Sequence, residues 1–287
     1  MDPKLLETVI GEVVREVLKA EAPAPVPAVS KPRERMWSAK PAFVPPASRT
    51  PVDAAEVARV KAATPARVAM GRAGTRYVTD VYVQLRAEHA IAVDAVHSEV
   101  TPGLPEALGC VLLESRAADL EDFLLFPNHG RRLSDPSRER LEREGTRGSD
   151  VVVVVGDGLS AWALNTNGPT LVPALERELR AAGFSVGKPV FVRRARVGVQ
   201  DEVGTVLGAK ATVILVGERP GLGTGDSLSL YTAYNPRLEQ DNAEKDCISN
   251  IRPLGLSTED AAKECAALLK RTFQVGGGGV KLTRSGV

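Results

Sequence analysis

The spacing of apolar and polar positions divides the chain into stretches of different period. Over Met1 to Ala20, Leu5, Leu6, Val9, Ile10, Val13, Val14, Val17 and Leu18 form one apolar stripe at helical spacing, with Asp2 placed to cap it and Pro3 suited to its first turn. The period is lost from Glu21 to Pro51, where eight of the chain's 20 prolines predict a semi-extended linker with no core of its own. A striped helix on such a linker predicts a docking peptide for another protein, with a terminal helix folded back on its own domain as the alternative. Residues 52–148 read as a mainly helical domain. Asp53 caps a short helix through Lys61, Arg67 to Gly74 is a basic segment punctuated by glycine, and a longer helix covers Thr79 to His97. That helix presents Tyr82, Leu85, His89, Val93 and Val96 on one face, which makes His89 a core histidine. Asp94 and His97, three apart, are in reach of each other. Leu133-Ser134-Asp135-Pro136 opens a helix from Pro136 to Glu144.

At Asp150 the pattern changes to continuous apolar runs. Val151 to Val155, Pro189 to Arg193 and Thr212 to Val216 read as strands buried on both faces, with a helix around Val172 to Ala182 closed by Gly183. Strands alternating with helices predict parallel pairing and right-handed crossovers, hence a compact α/β domain over 149–275. Beyond these, Ser227 to Tyr234 reads as a strand with polar alternation, Cys247 to Ile251 as a short buried segment and Thr258 to Phe273 as a helix. Gly276 to Gly279 opens a flexible tail over 276–287.

Composition narrows the function classes. Lys and Arg number 37 against 36 Asp and Glu, so no global charge draws the chain to nucleic acid or a membrane surface. Aromatic residues make up 4% of the chain, too few for a base-stacking surface. Cys110, Cys247 and Cys265 lie far apart without a CxxC pair, which argues against a zinc site or a disulfide framework and for a reducing, cytoplasmic setting. No apolar run approaches the roughly 18 residues of a spanning helix. The acidic residues Asp2, Glu7, Glu12 and Glu16 argue against a transit peptide at the N-terminus.

The strand Thr212–Val216 runs directly into Gly217-Glu218-Arg219-Pro220-Gly221-Leu222-Gly223. In an open α/β sheet the ligand crevice lies beyond the carboxyl ends of the strands, which makes this loop a ligand candidate, with a tight turn and a solvated ion pair as the alternative. The usual ligands are excluded by their own patterns. Gly156-Asp157-Gly158 lacks the third glycine of a dinucleotide fingerprint, since residue 161 is Ala, and no acidic residue follows at Ser185 to Arg193. There is no phosphate-binding G-x-x-x-x-G-K-[ST] loop, and Ser160 is not in a nucleophile elbow. His89, His97 and His129 form no metal pair, and no histidine occurs from 149 onwards. No self-contained catalytic constellation is present.

Several stretches together resemble one family. These are Arg67 to Gly74 (R-V-A-M-G-R-A-G), Asp94 to His97 (D-A-V-H), Gly130 to Leu133 (G-R-R-L), Asp157 to Ala161 (D-G-L-S-A), Phe191 to Arg193 (F-V-R), Gly217 to Gly223 (G-E-R-P-G-L-G), Asp226 to Ser229 (D-S-L-S) and Ile248 to Ile251 (I-S-N-I). In this combination the chain resembles the small (light) subunits of ethanolamine ammonia-lyase over roughly Thr64 to Phe273. The resemblance implies an N-terminal helical region followed by a Rossmann-like, parallel-sheet cobalamin-binding domain. It implies a subunit without catalytic or metal-ligating residues of its own, in a hetero-oligomeric lyase that converts ethanolamine to acetaldehyde and ammonia. The substrate site then lies on a large-subunit barrel, and the radical chemistry is that of adenosylcobalamin. The cofactor contacts it implies are Val197, Glu218 and Cys247. The D-x-H-x-x-G pattern is absent and the α/β region lacks histidine, so the cofactor is expected in its base-on form. The partners implied are the large subunit and, through Met1 to Ala20, the shell of a bacterial microcompartment, with neither nucleic acid nor membrane. A non-catalytic nucleotide-binding or scaffold protein of such a compartment is the alternative reading.

Overall fold

The computed structural model describes residues 53–64 and 66–286; the amphipathic helix and proline-rich linker expected over 1–51 lie outside them. The described residues fall into two units divided after Gln84. In the first, α1 (Ala54–Ala62) begins at Asp53, whose carboxylate accepts the Ala55 N–H at 2.9 Å. Strands β1 (Arg72–Ala73) and β2 (Arg76–Tyr77) form a short antiparallel ladder, with the Arg72 guanidinium 4.9 Å over the Tyr77 ring. Helix α2 (Thr79–Val96) runs across the division. Its more buried side passes through Val81, Leu85, Glu88, Ala92 and Ala95, one residue round from the expected stripe. Tyr82 and Val93 are therefore exposed, and so is His89, which is not a core histidine. His97 does not pair with Asp94; its Nδ1 lies 2.9 Å from the Val93 carbonyl oxygen.

The second unit continues with α3 (Leu104–Ala107), β3 (Val111–Glu114), α4 (Leu120–Leu125), α5 (Asp135–Glu144), β4 (Val151–Gly156), α6 (Ala161–Ala181), β5 (Val190–Arg193), α7 (Val199–Leu207), β6 (Ala211–Gly217), β7 (Leu228–Tyr234), β8 (Lys245–Ile251), α8 (Thr258–Val275) and α9 (Val280–Ser285). The six strands β3 to β8 make one sheet in the order β3-β5-β4-β6-β7-β8. Its first four strands are parallel, as the alternation of strands and helices predicts, and β7 and β8 are antiparallel additions. The loop over 218–227 is shorter than the roughly dozen residues a parallel crossover needs, so β7 must fold back on β6.

The valine run explains the centre of the sheet. Alternate valines of β4 face opposite layers: Val151, Val153 and Val155 meet Leu171, Leu175 and Leu179 of α6 and Leu269 of α8. Val152 and Val154 meet Leu141 of α5 and Val199, Val203 and Leu207 of α7. Both faces are closed by helices, which is why β4 and β6 carry no polar alternation. Strand β7 sits between β6 and β8 and is almost wholly buried, its alternating polar residues Ser229 and Thr232 included. Cys247 to Ile251, expected to be buried, belongs to the edge strand β8; Cys247 is exposed and, of these five residues, only Ile251 is buried. Strand β3 lies inside the stretch read as mainly helical, and its four residues are too few to show a period. The glycine run 276–279 leads into α9, with Leu282 buried and the Gly279 N–H donating to Asp246 Oδ2 at 2.9 Å. Among the described residues no helix is long and apolar enough to cross a membrane.

Candidate cofactor-facing site

The site is assembled where the loops after β4, β5 and β6 meet at the carboxyl ends of the parallel strands. Glycine makes the closest of these approaches possible. Gly158 has φ of +63°, and a Cβ there would lie 2.5 Å from the Gly217 carbonyl oxygen; a Cβ on Gly217 would lie 2.0 Å from the Ser160 carbonyl oxygen. The Leu159 N–H donates to the Gly217 carbonyl at 3.0 Å across this crossing. Ser160 then caps α6, accepting from the Ala163 N–H at 3.3 Å while its hydroxyl donates to the Gly225 carbonyl at 2.6 Å. Asn167 donates to the Asp226 carbonyl at 2.8 Å. The glycines of D-G-L-S and G-E-R-P-G-L-G thus serve backbone crossing, and the loop over 218–227 is fastened at both ends.

Glu218 leaves β6 at the start of that loop and is half-buried. Its carboxylate accepts from the Ser229 hydroxyl and from the Asn250 N–H, the latter at 3.1 Å. Burial alone pushes the Glu218 carboxyl up; the Ser229, Asn250 and Ser227 hydrogen bonds and the Arg252 charge outweigh it, so the net direction is below 4.5. Glu218 is a carboxylate at neutral pH. Arg219, beside it, is exposed.

Val197 lies in the loop between β5 and α7, which Asp157 holds in place. The Asp157 carboxylate accepts from the Arg194 N–H at 2.8 Å and the Ala195 N–H at 3.0 Å. Arg194 has φ of +56°, a left-handed conformation that a non-glycine residue keeps only when its surroundings hold it there. Cys247 reaches the same region from β8 as the cross-strand partner of Tyr231, which is itself opposite Ile214. Burial pushes the Tyr231 hydroxyl up to about 12 and, more weakly, pushes the Cys247 thiol above its ordinary value, with the Glu218 charge acting in the same direction on both.

Val197, Tyr231 and Cys247 line one cavity of about 430 Å³ together with Arg131, Arg196 and Lys245. Two of the three sequence-predicted contacts are thus brought to one cavity. Glu218 does not line it but stands beside it, linked through Ser229, two residues along β7 from Tyr231. The arrangement offers an apolar wall, one fixed carboxylate and two guanidinium groups, in an open concave surface.

A family model for the ethanolamine ammonia-lyase light chain (EutC) matches residues 54–283. The chain belongs to that family. It is 40% identical over 236 residues to the ethanolamine ammonia-lyase small subunit of Xanthomonas campestris pv. campestris, a match covering 78% of this chain and 86% of that one. It is similar to the small subunits of Clostridium acetobutylicum, with 37% identity over 79% of this chain and 94% of the relative, and of Fusobacterium nucleatum, with 38% identity over 79% and 77%.

For this light-chain family member, sequence reading missed the residues that support the three contacts. Ser229 and Asp157 lie inside quoted motifs, but nothing in their spacing says that one would hold Glu218 and the other the Val197 loop. Tyr231 was hidden in a strand read as alternating, and Arg131 and Arg196 are far apart in sequence.

Proposed function

We propose that this chain is the small subunit of an adenosylcobalamin-dependent ethanolamine ammonia-lyase, forming one wall of the cofactor site while a large subunit carries ethanolamine. The observation that carries this reading is the convergence of Val197 and Cys247 on one cavity, with the Glu218 carboxylate fixed beside it, in a member of the light-chain family. The residues fit the cofactor's periphery, an apolar disc fringed with amides. Val197 and the Tyr231 ring supply apolar contact, Glu218 accepts from amide N–H groups, and Cys247 fills space with a thiol that stays protonated. A cavity of about 430 Å³ is at the small end of the range for drug-sized ligands, so it takes the edge of a macrocycle and leaves the rest to another chain. When bound, adenosylcobalamin supplies the radical that starts the removal of ammonia. The work of this chain's residues is to bind, orient and exclude water.

The cofactor is read as base-on, because no histidine lines this cavity among the described residues. His129, the nearest by sequence, is committed to Asp122 at 2.9 Å and stacks on Phe126. Residues 149–275, whose sheet is completed by β3 of the preceding stretch, are assigned as the cobalamin-binding domain, the remainder of 52–148 as the mainly helical region and 276–287 as the C-terminal tail. The stripe of Met1 to Ala20 on its linker at 21–51 is assigned to docking on a microcompartment shell.

The test is co-expression with a large subunit. The complex is expected to turn over ethanolamine only when adenosylcobalamin is added, and turnover independent of this chain would reject the proposal. Glu218→Ala in that complex should weaken cobalamin binding by roughly ten- to a hundred-fold, from hydrogen bonds to a charged group worth about 1.5–3 kcal/mol. An unchanged equilibrium affinity removes Glu218 from the site.

A further inference from the structure

The cavity has a cationic end that the three cofactor contacts do not use. Two segments distant in sequence, Gly130-Arg131 and Arg196-Val197-Gly198, are interlocked by reciprocal glycine contacts. A Cβ on Gly130 would lie 2.6 Å from Arg196 Cγ, and a Cβ on Gly198 would lie 3.2 Å from Arg131 Cγ. The Arg196 N–H donates to the Gly130 carbonyl at 2.7 Å. Each arginine stem therefore lies over the other segment's glycine, and both arginines line the cavity shared by Val197, Tyr231 and Cys247.

These two arginines lack the partners their neighbours have. Arg132 is paired with Glu239 at 3.0 Å, and Lys245 is paired with Asp201 at 2.9 Å with both groups almost fully buried. Among the described residues neither Arg131 nor Arg196 has a carboxylate within ion-pair distance. Arg196 stacks on the Phe123 ring at 4.2 Å and donates through Nη2 to the Phe123 carbonyl at 2.8 Å, while its Nε is buried without any partner. Burial pushes the Arg196 pKa down, and the Arg131 charge adds to that direction. Asp201 lies within electrostatic reach of Arg131, but one of its oxygens is committed to Lys245. Arg131 is exposed and Arg196 half-buried; two adjacent cations raise each other's free energy, and an anion bridging them relieves it. The forked donors of Arg match the oxygens of a phosphate group.

We propose that Arg131 and Arg196 form a phosphate-recognising end of this cavity. The inference rests on the cofactor-facing reading above, in which the phosphodiester is that of the cobalamin nucleotide loop; a free phosphate is the other source of the same chemistry. Arg131 is the residue to change, because Arg196 also packs against Phe123.

The experiment measures equilibrium binding of hydroxocobalamin and of cobinamide, which lacks the phosphodiester and nucleotide, to the assembled complex carrying wild-type chain, Arg131→Gln or Arg131→Lys. Arg131→Gln is expected to weaken cobalamin binding roughly ten-fold, the loss of one charge-assisted contact, and to change cobinamide binding less than about two-fold; Arg131→Lys should retain most of the affinity. If both corrinoids bind all three proteins alike, but inorganic phosphate raises the thermal midpoint of wild type and not of Arg131→Gln, the anion end stands with free phosphate as its occupant. Equal weakening of cobalamin and cobinamide overturns the proposal, as does no change in either together with no response to phosphate. Loss of assembly in Arg131→Gln but not in Arg131→Lys also overturns it, by giving the anion to the partner chain. Glu218→Gln separates the two levels of the argument. It should weaken both corrinoids, and if it weakens neither while Arg131→Gln still discriminates between them, the Glu218 assignment fails and the phosphodiester assignment stands.

Discussion

Glu218 is held as an anion by the residues around it, and the same surroundings keep its sulfur neighbour neutral. Ser229, Asn250, Ser227 and Arg252 lower the carboxyl below 4.5, so Glu218 remains an acceptor throughout the range in which the protein is folded at mild pH. Cys247 is exposed, yet burial of its thiol and the Glu218 charge raise its pKa above 9.0. Since the thiolate is the nucleophile, the onset of alkylation moves to higher pH than for an unperturbed cysteine. Iodoacetamide at pH 8 should modify the native chain slowly at Cys247 and more slowly still at buried Cys110, whose thiol burial raises to about 12, and Cys265. The urea-unfolded chain should react at all three; rapid native labelling at Cys247, read by mass spectrometry of its peptide, contradicts the assigned inert role. Gly217 makes a sterically sharper case. A methyl group there meets the Ser160 carbonyl oxygen at 2.0 Å, and backbone cannot swing away as a long side chain can. Gly217→Ala should cost about 1–3 kcal/mol in urea unfolding and loosen the Glu218 loop; a variant of unchanged stability would mean the crossing has slack.

At the scale of elements, strands β4 to β7 were readable and β3 and β8 were not. Strands β4, β5 and β6 announce themselves as apolar runs because both faces are covered by helices. Strand β8 does not, because an edge strand with a single buried residue resembles a loop, and β3 is only four residues long. Helix α6 was visible from Val172 onward but starts at Ala161, its first turns obscured by Pro169 and Pro173 inside it. That early start matters, since Ser160 is both its N-cap and the tie to Gly225. Ser160→Ala should destabilise the chain by about 1–2 kcal/mol, the loss of a cap and a buried hydrogen bond, measured by urea unfolding. A second joint lies at the opposite ends of the strands. Asp150 accepts from the Ser185 N–H at 2.8 Å and pairs with Lys210 at 2.8 Å. The Lys210 hydrogen bond and the Ser185 hydrogen bonds lower its carboxyl from 3.8 to about 2. A lowered carboxyl contributes stability above its unfolded value that is lost as pH falls through its folded value. The acid limb between pH 4 and 2 should therefore be shallower in Asp150→Asn than in wild type, with a single-sided offset at neutral pH; superimposable limbs exclude the joint from acid unfolding.

At the scale of the whole molecule, the candidate site was legible only through the combination of motifs. Periodicity located the Glu218 loop at a strand end, but the amide-accepting role and the contribution of Val197 and Cys247 came with the family resemblance. The reason is physical. The site is a surface formed by three loops and an edge strand that run from Asp157 to Cys247, 90 positions apart in the sequence, and no short-range spacing records such a juxtaposition. The first 51 residues present the converse case, a strong periodic stripe that lies outside the described residues, to which both cores above refer. Every buried residue of those cores lies between Cys110 and Leu269. On the docking reading, removal of Met1 to Ala20 leaves both cores as they are. The truncated chain should assemble with the large subunit, bind cobalamin and turn over ethanolamine as the full-length chain does. If the stripe is the shell-docking segment, the truncated enzyme should be lost from purified compartments and recovered in the soluble fraction at undiminished specific activity. Retention of the truncated enzyme inside shells would place the docking surface elsewhere, on residues 53–286 or on the large subunit. Loss of turnover on truncation would mean instead that the stripe completes the enzyme.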